Sequence, residues 1–211
     1  MLKKNKRNLI LSTMVILLPV LVGLVLWNRL PEQMPIHWNA SGQVDNWGDK
    51  LSVVVGLPAF LSVIHLLGLF LTRSDPGNKG HNEKFLGLVF WICPGMSLLV
   101  STVIYCTALG QQISVERIMP ILLGAMFVVL GNYMPKFKQN HTMGIRLPWT
   151  LADEENWRRT HRLAGPLWVV GGAVMMLNAL VESVFPLFFS IVLMVGVPVL
   201  YSCLLYKKMH K

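Results

Sequence analysis

Six apolar runs of membrane-crossing length leave this chain few ways to fold. They cover roughly 9–27, 51–71, 85–109, 118–134, 164–181 and 187–206. A helix needs about 20 mostly apolar residues to cross a bilayer. Strands of an outer-membrane barrel would alternate in polarity over about 10 residues, and these runs do not alternate. In hydrocarbon every backbone N–H and C=O must be satisfied within the segment, which selects helices. The expected fold class is therefore all-α: a polytopic membrane protein with six transmembrane helices. Composition agrees, since only 14% of residues are charged, against about 25% in a soluble domain. The first run follows a basic start, but it is longer than a signal-peptide core and no A-x-A-like site follows, so it is expected to be retained.

The distribution of Lys and Arg gives the orientation. Taking the segments between the runs alternately, 16 fall on one side and 3 on the other. The positive-inside rule assigns the 16 to the cytoplasm, with both termini. The net charge of +9 is thus a property of loops and tails and gives no reason to expect direct nucleic-acid binding. On this basis the chain divides into 1–50 (first helix and extracellular loop), 51–134 (helices two to four), 135–163 (a cytoplasmic loop with an amphipathic helix) and 164–211 (the last two helices and a basic tail). Prolines 19, 58, 94 and 198 are interior to runs and expected to kink them, whereas Pro120 and Pro166 lie near helix starts. Gly68 and Gly124 stand alone, there is no clean G-x-x-x-G pair, and no internal repeat is evident. Cys93, Cys106 and Cys203 lie in apolar runs and read as small hydrophobic filler.

Three places carry polar chemistry. The outer loop contains His37, Trp38, Asp45, Trp47 and Asp49, with turn residues at Asn39 to Gly42. Its His/Asp spacing matches no metal-ligand signature, so it reads as a compact folded loop on the outer face, with Trp38 and Trp47 suited to the interface. His65 is the ionisable group inside a run. Intramembrane ionisable residues are functional candidates by default, although a single imidazole is readily satisfied by a backbone carbonyl. The richest segment is 131–162. Thr150 is expected to cap a helix from about Leu151 to Leu163, with Glu154–Arg158 and Glu155–Arg159 pairs on its surface. Trp157 and His161 share one face of that helix, which reads equally as an interfacial helix or as a docking surface. No protease, hydrolase, P-loop or dinucleotide motif is present, so the expectation is no enzyme, no catalytic residue, no metal and no cofactor.

The string Asn140-His141, Gly144-Ile145-Arg146, Pro148-Trp149-Thr150-Leu151, then Trp157 and Arg162, resembles the cytoplasmic signature of the SdpI family of bacterial immunity proteins. The outside run from Leu30-Pro31 to Trp38, ending in the turn at Gly42, is similar to the small domain that commonly precedes it. The resemblance implies a multi-pass protein of the bacterial cytoplasmic membrane that protects against a secreted, membrane-active peptide toxin. At least one family member is also a receptor that holds a small transcriptional repressor at the membrane. It further implies that the outer loop, with His37, Trp38, Asp45 and Trp47, meets the toxin, and that 136–162 is the output surface. The implied partners are the peptide toxin, a cytoplasmic repressor and membrane lipids. A small transporter or exporter, motivated by His65 and the interior prolines, is the alternative.

Overall fold

The computed structural model describes residues 2–39, 41–78, 83–181 and 183–210, with side chains except at 2–5, 83–86 and 88. The element order is α1 (Leu2–Val25), β1 (Gln33–Trp38), β2 (Val44–Asp49), a π-turn (Ser52–Gly56) running into α2 (Leu57–Ser74), a 3-10 turn (Pro76–Asn78), α3 (Glu83–Ala108), α4 (Val115–Tyr133), a 3-10 turn (Met134–Lys136), α5 (Pro148–Ala152), α6 (Glu154–Val181), α7 (Val184–Ile191), a second π-turn (Val192–Gly196) and α8 (Val197–Met209). Six helical stretches are long and apolar enough to span: Lys6–Val25, Ser52–Ser74, Val89–Ala108, Val115–Lys136, Glu154–Val181 and Val184–Met209. The protein is a multi-pass membrane protein of largely helical fold. Burial is inverted relative to a soluble bundle. Ser12, Ser97, Ser190 and Ser202 are fully buried, while Leu21, Phe60 and Phe188 are exposed. Where lipid solvates apolar side chains, small and polar residues are the ones that gain from helix contact.

The chain forms two compact units, Met1–Leu71 with Asn82–Val115, and Thr72–His81 with Glu116–Lys211. In the first, hydroxyls tie α1 to its neighbours. Ser97 Oγ donates to Ile16 O and Tyr105 Oη to Pro19 O, both at 2.9 Å. Ser12 Oγ lies 2.9 Å from His65 Nε2. The outer loop, expected to be a compact folded loop, is an antiparallel hairpin of β1 with β2. Its turn is as expected: Asn39 Oδ1 accepts from the N–H groups of Ser41 and Gln43 at 3.0 Å, and Gly42 takes φ 72°, a left-handed conformation open to glycine. The hairpin sits on a cluster of Leu30, Met34, Val53, Val54, Ile104 and Tyr105. Lys50, only 5% exposed, pins it: Nζ donates to Trp27 O at 3.2 Å and Glu32 Oε1 at 2.7 Å and lies 5.1 Å from the centroid of the Trp27 ring.

In the second unit α4 and α6 approach through glycine. A Cβ on Gly124 or Gly172 would strike the carbonyl of the other, and one on Gly131 or Gly165 would come within 2.8–2.9 Å of the other's carbonyl. Gly124 is therefore one of a matched set: the two pairs have equal spacing on their helices, and they meet in antiparallel register. The interior prolines Pro58 and Pro198 each follow a π-turn by two residues. In both, the last N–H before the proline bonds one residue further back than in an α-helix, Leu57 to Ser52 O and Val197 to Val192 O. Pro198 leaves Met194 O without its usual donor, and the indole N–H of Trp168 fills that place at 2.8 Å. The two segments also share the pattern Gly-x-Pro-x-x-x-Ser, at Gly56–Ser62 and Gly196–Ser202. Pro166, expected near a helix start, is interior, because α6 begins at Glu154.

Candidate functional site

The polar segment 137–147 is a closed, hydrogen-bonded loop built against the first turns of α6. Trp157 is 1% exposed and its indole N–H donates to Phe137 O at 2.8 Å. It is a buried clamp, where an interfacial lipid anchor was one expectation. His161 stacks on it, ring centroids 4.0 Å apart at 22°. His161 Nδ1 lies 2.8 Å from Trp157 O, and Nε2 lies 2.9 Å from the N–H of Ile145. A carbonyl can only accept and an amide only donate, so the ring is the neutral Nδ1–H tautomer. Gly144 passes over this pair at φ 106°. A Cβ there would strike His161 Nε2 and lie 3.1 Å from the Trp157 ring.

Asn140, 1% exposed, organises the rest of the loop. Its Oδ1 accepts from the N–H groups of Thr142 at 2.9 Å and Met143 at 2.6 Å, and its Nδ2 donates to Lys138 O at 2.7 Å. Arg146 is exposed and donates to His141 O at 2.6 Å. Thr150 is buried, but it is not the cap expected. Pro148 opens α5, and Thr150 reaches back one turn to accept from Leu147 N–H at 2.9 Å and donate to Ile145 O at 2.8 Å. The single helix expected over 151–163 is broken at Asp153, whose extended backbone and carboxylate, accepting from Asn156 N–H at 2.7 Å, cap α6. Glu155 takes both Arg158, through two bonds of 2.7–2.8 Å, and Arg159, at 2.6 Å. The Glu154–Arg158 pair does not form. Trp149 Nε1 donates to Ser202 Oγ, and Asn156 Nδ2 to Ser202 O, both at 2.9 Å, so the loop and α6 grip α8.

The partner that sequence reasoning missed is the turn Asp75-Pro76-Gly77-Asn78. Asp75 is 7% exposed. Its Oδ2 accepts from the N–H of His141 at 2.6 Å and the hydroxyl of Thr142 at 3.2 Å, and its Oδ1 from the N–H of Gly77 at 3.0 Å. The His141 ring nitrogen stands 4.0 Å away. Burial opposes ionisation, yet the backbone N–H groups of His141 and Gly77, the Thr142 hydroxyl and the imidazole together hold the carboxyl below its ordinary range. Asn78 Nδ2 donates to Thr72 O at 2.9 Å and Thr142 Oγ at 2.7 Å. A side chain on Gly77 would strike Gln139 O and come 2.9 Å from Asn140 Cα. The available signal was the Asp-Pro-Gly-Asn string, which reads as a turn but carries no hint of what it docks against.

The structure thus brings Asn140, His141, Gly144, Arg146, Pro148, Trp149, Thr150 and Trp157 into one site, and adds Asp75, Gly77, Asn78, Asn156, His161 and Ser202. Arg162 lies on the exposed face of α6, with no partner among the described residues. The side chains of His37, Trp38, Asp45 and Trp47 belong to the hairpin. His37 Nδ1 and Asp45 Oδ1 are 2.5 Å apart at the surface, Trp47 is 52% exposed, and Trp38 packs on the cluster beneath. Asp49 caps the π-turn through Ser52 N–H at 2.9 Å, and the Ser52 side chain, followed by this backbone bond, lowers its carboxyl pKa. His65 is 2% exposed, held by Ser12. The interior of the loop site is closed largely by its own hydrogen bonds, and its exposed polar side chains are Lys138, His141 and Arg146.

Residues 136–202 match the model of the SdpI/YfhL protein family, and residues 14–61 match a domain of unknown function, DUF1648. The chain is 27% identical over 216 residues to the Immunity protein SdpI of Bacillus subtilis (strain 168), covering 99% of each chain. No solved structure matches it. The segment similar to the SdpI/YfhL protein family holds the clamped loop, α5, α6, α7 and the part of α8 that Trp149 and Asn156 grip.

Proposed function

We propose that this protein gives a bacterial cell immunity to a secreted, membrane-active peptide toxin. The observation that carries the reading is the similarity to an immunity protein along 99% of both chains. The excess of Lys and Arg on alternate connecting segments supports a cytoplasmic location for both termini and for the loop 137–147. On that orientation the hairpin, with Trp47, His37 and Asp45 at its surface, meets the toxin from outside. The loop presents His141 and Arg146 to the cytoplasm, where a transcriptional repressor held at the membrane would dock. The transporter alternative rests on His65 and the interior prolines, and of these His65 is engaged by Ser12 between α1 and α2 and so already has a packing role.

The test is survival of a toxin-sensitive bacterium expressing the chain and challenged with such a peptide, beside Arg146→Ala at equal membrane abundance. Protection by the parent alone supports immunity that runs through the loop. Protection by both keeps immunity and assigns Arg146 to another output. Protection by neither rejects the reading.

A further inference from the structure

Two helix pairs of this chain repeat one another, although the residue types in order show only a short shared pattern. In each pair a glycine of the first helix packs against the side chain four residues before the π-turn proline of the second. A Cβ on Gly23 would strike the side chain of Val54, four before Pro58, and one on Gly171 would strike that of Met194, four before Pro198. Carried along the helices from these contacts, the match holds. Ser12 and Ile16 on α1 fall on Thr160 and Ala164 on α6, and Ser62 and His65 on α2 fall on Ser202 and Leu205 on α8, all of them buried. The outward faces differ. In the second unit α4 covers Gly165, Trp168 and Gly172, whose counterparts on α1 are Leu17, Val20 and Leu24. Leu17 and Leu24 are exposed, and Val20 stands where α6 has its tryptophan.

That difference opens a groove of about 370 Å³, lined by Met14, Leu17, Val20, Leu21, Val55 and Ala59, a volume within the roughly 300–1,000 Å³ of small-molecule pockets. The corresponding place in the second unit holds the indole of Trp168, which donates to Met194 O at 2.8 Å. Pro58 has no N–H to give Val54 O, just as Pro198 has none for Met194 O, and no side chain among the described residues donates to Val54 O. We propose that this groove is a seat for a tryptophan side chain of a peptide inserted in the membrane, with the ring on Val20 and Ala59 and the N–H on Val54 O. The second unit supplies the reason for choosing an indole, because the same glycine contact and the same π-turn hold one there. A carbonyl without its donor is costly in hydrocarbon, so an aromatic ring with an N–H gains more in this groove than one without. The π-turn follows β2 closely, so the groove begins beside the hairpin. Identifying the peptide as the toxin rests on the immunity reading above.

The full chain is purified into phosphatidylcholine discs and loaded with tryptophan octyl ester, a probe that carries the indole into the membrane. Retained ester is counted by native mass spectrometry beside the octyl esters of phenylalanine and 1-methyl-tryptophan. The tryptophan ester is expected several-fold enriched over both. Val20→Trp places the chain's own indole in the groove and should bring retention down to the phenylalanine level, while Leu177→Trp, on an exposed position of α6, leaves it unchanged. Ala59→Phe closes the groove from α2 and serves as the second variant if Val20→Trp impairs folding. Equal retention of the three esters by the parent, or full retention in the groove variants, overturns the seat. Equal retention of the tryptophan and 1-methyl-tryptophan esters overturns the bond to Val54 O. In the survival test Val20→Trp should lose protection, and parental protection after loss of ester retention overturns the toxin as the occupant. A parent that protects against no toxin rejects immunity, and the ester ratios still decide the seat.

Discussion

Asp75 carries a negative charge into a site with 7% exposure and is stabilised there by donors from both sides of the turn–loop contact. Its folded pKa is lowered, so its contribution is present above the ordinary value of 3.8 and is lost as pH falls through the folded value. The thermal midpoint of the parent should fall over that acidic window, and Asp75→Asn should remove that part of the pH dependence. Asp75→Ala leaves the N–H groups of His141 and Gly77 unpaired, at about 1–3 kcal/mol for a buried donor, and should speed hydrogen exchange at His141, Thr142 and Met143. Unchanged exchange would show that the loop holds without the carboxylate. Gly144 shows why a signature residue can be legible as important while its reason is not: the sequence shows a glycine, and only the fold shows His161 and Trp157 directly beneath it.

At the scale of elements, the glycines set how close α4 and α6 come. Gly124→Ala or Gly172→Ala places a methyl against the opposite carbonyl, and overpacking of this kind costs about 1–3 kcal/mol. Chemical unfolding in detergent should register it, with Gly68→Ala, where a Cβ meets nothing within 4 Å, as the control. Trp168→Phe keeps the ring but withdraws the donor from Met194 O, and should destabilise α8 at its π-turn by about 1–3 kcal/mol. Equal stability of Trp168→Phe and the parent would mean that the carbonyl finds another donor. The helix expected over 151–163 divides at Asp153 because its carboxylate is a better cap for α6 than Thr150, whose hydroxyl is already committed to Leu147 and Ile145. Propensity alone cannot rank two caps three residues apart when loop contacts have claimed one of them.

For the whole molecule, the arrangement of charge predicts sidedness. A reporter active only in the cytoplasm should be active when fused after Lys211, and a cysteine placed at Ser41 in the hairpin turn should be labelled by an impermeant reagent from outside. The reverse result at either position would invert the topology. The hairpin is the part of the architecture that hydropathy did not supply. Its turn residues were readable, but its pairing depends on Met34 reaching the cluster of Val53, Val54 and Tyr105 and on Lys50 bonding Trp27 and Glu32, contacts made across the ends of separate helices.

The sequence by itself determined the number of spans, because the length of an apolar run answers directly to the thickness of a bilayer. It also identified the loop residues from Asn140 to Trp157 by their resemblance to a family signature. Only the tertiary structure decided what those residues hold: the turn at Asp75–Asn78, the stacked Trp157 and His161, and Ser202 on the last helix. Hydrogen bonds and close glycine contacts depend on distances between segments remote in the chain, and a linear pattern of residue types carries no record of those distances.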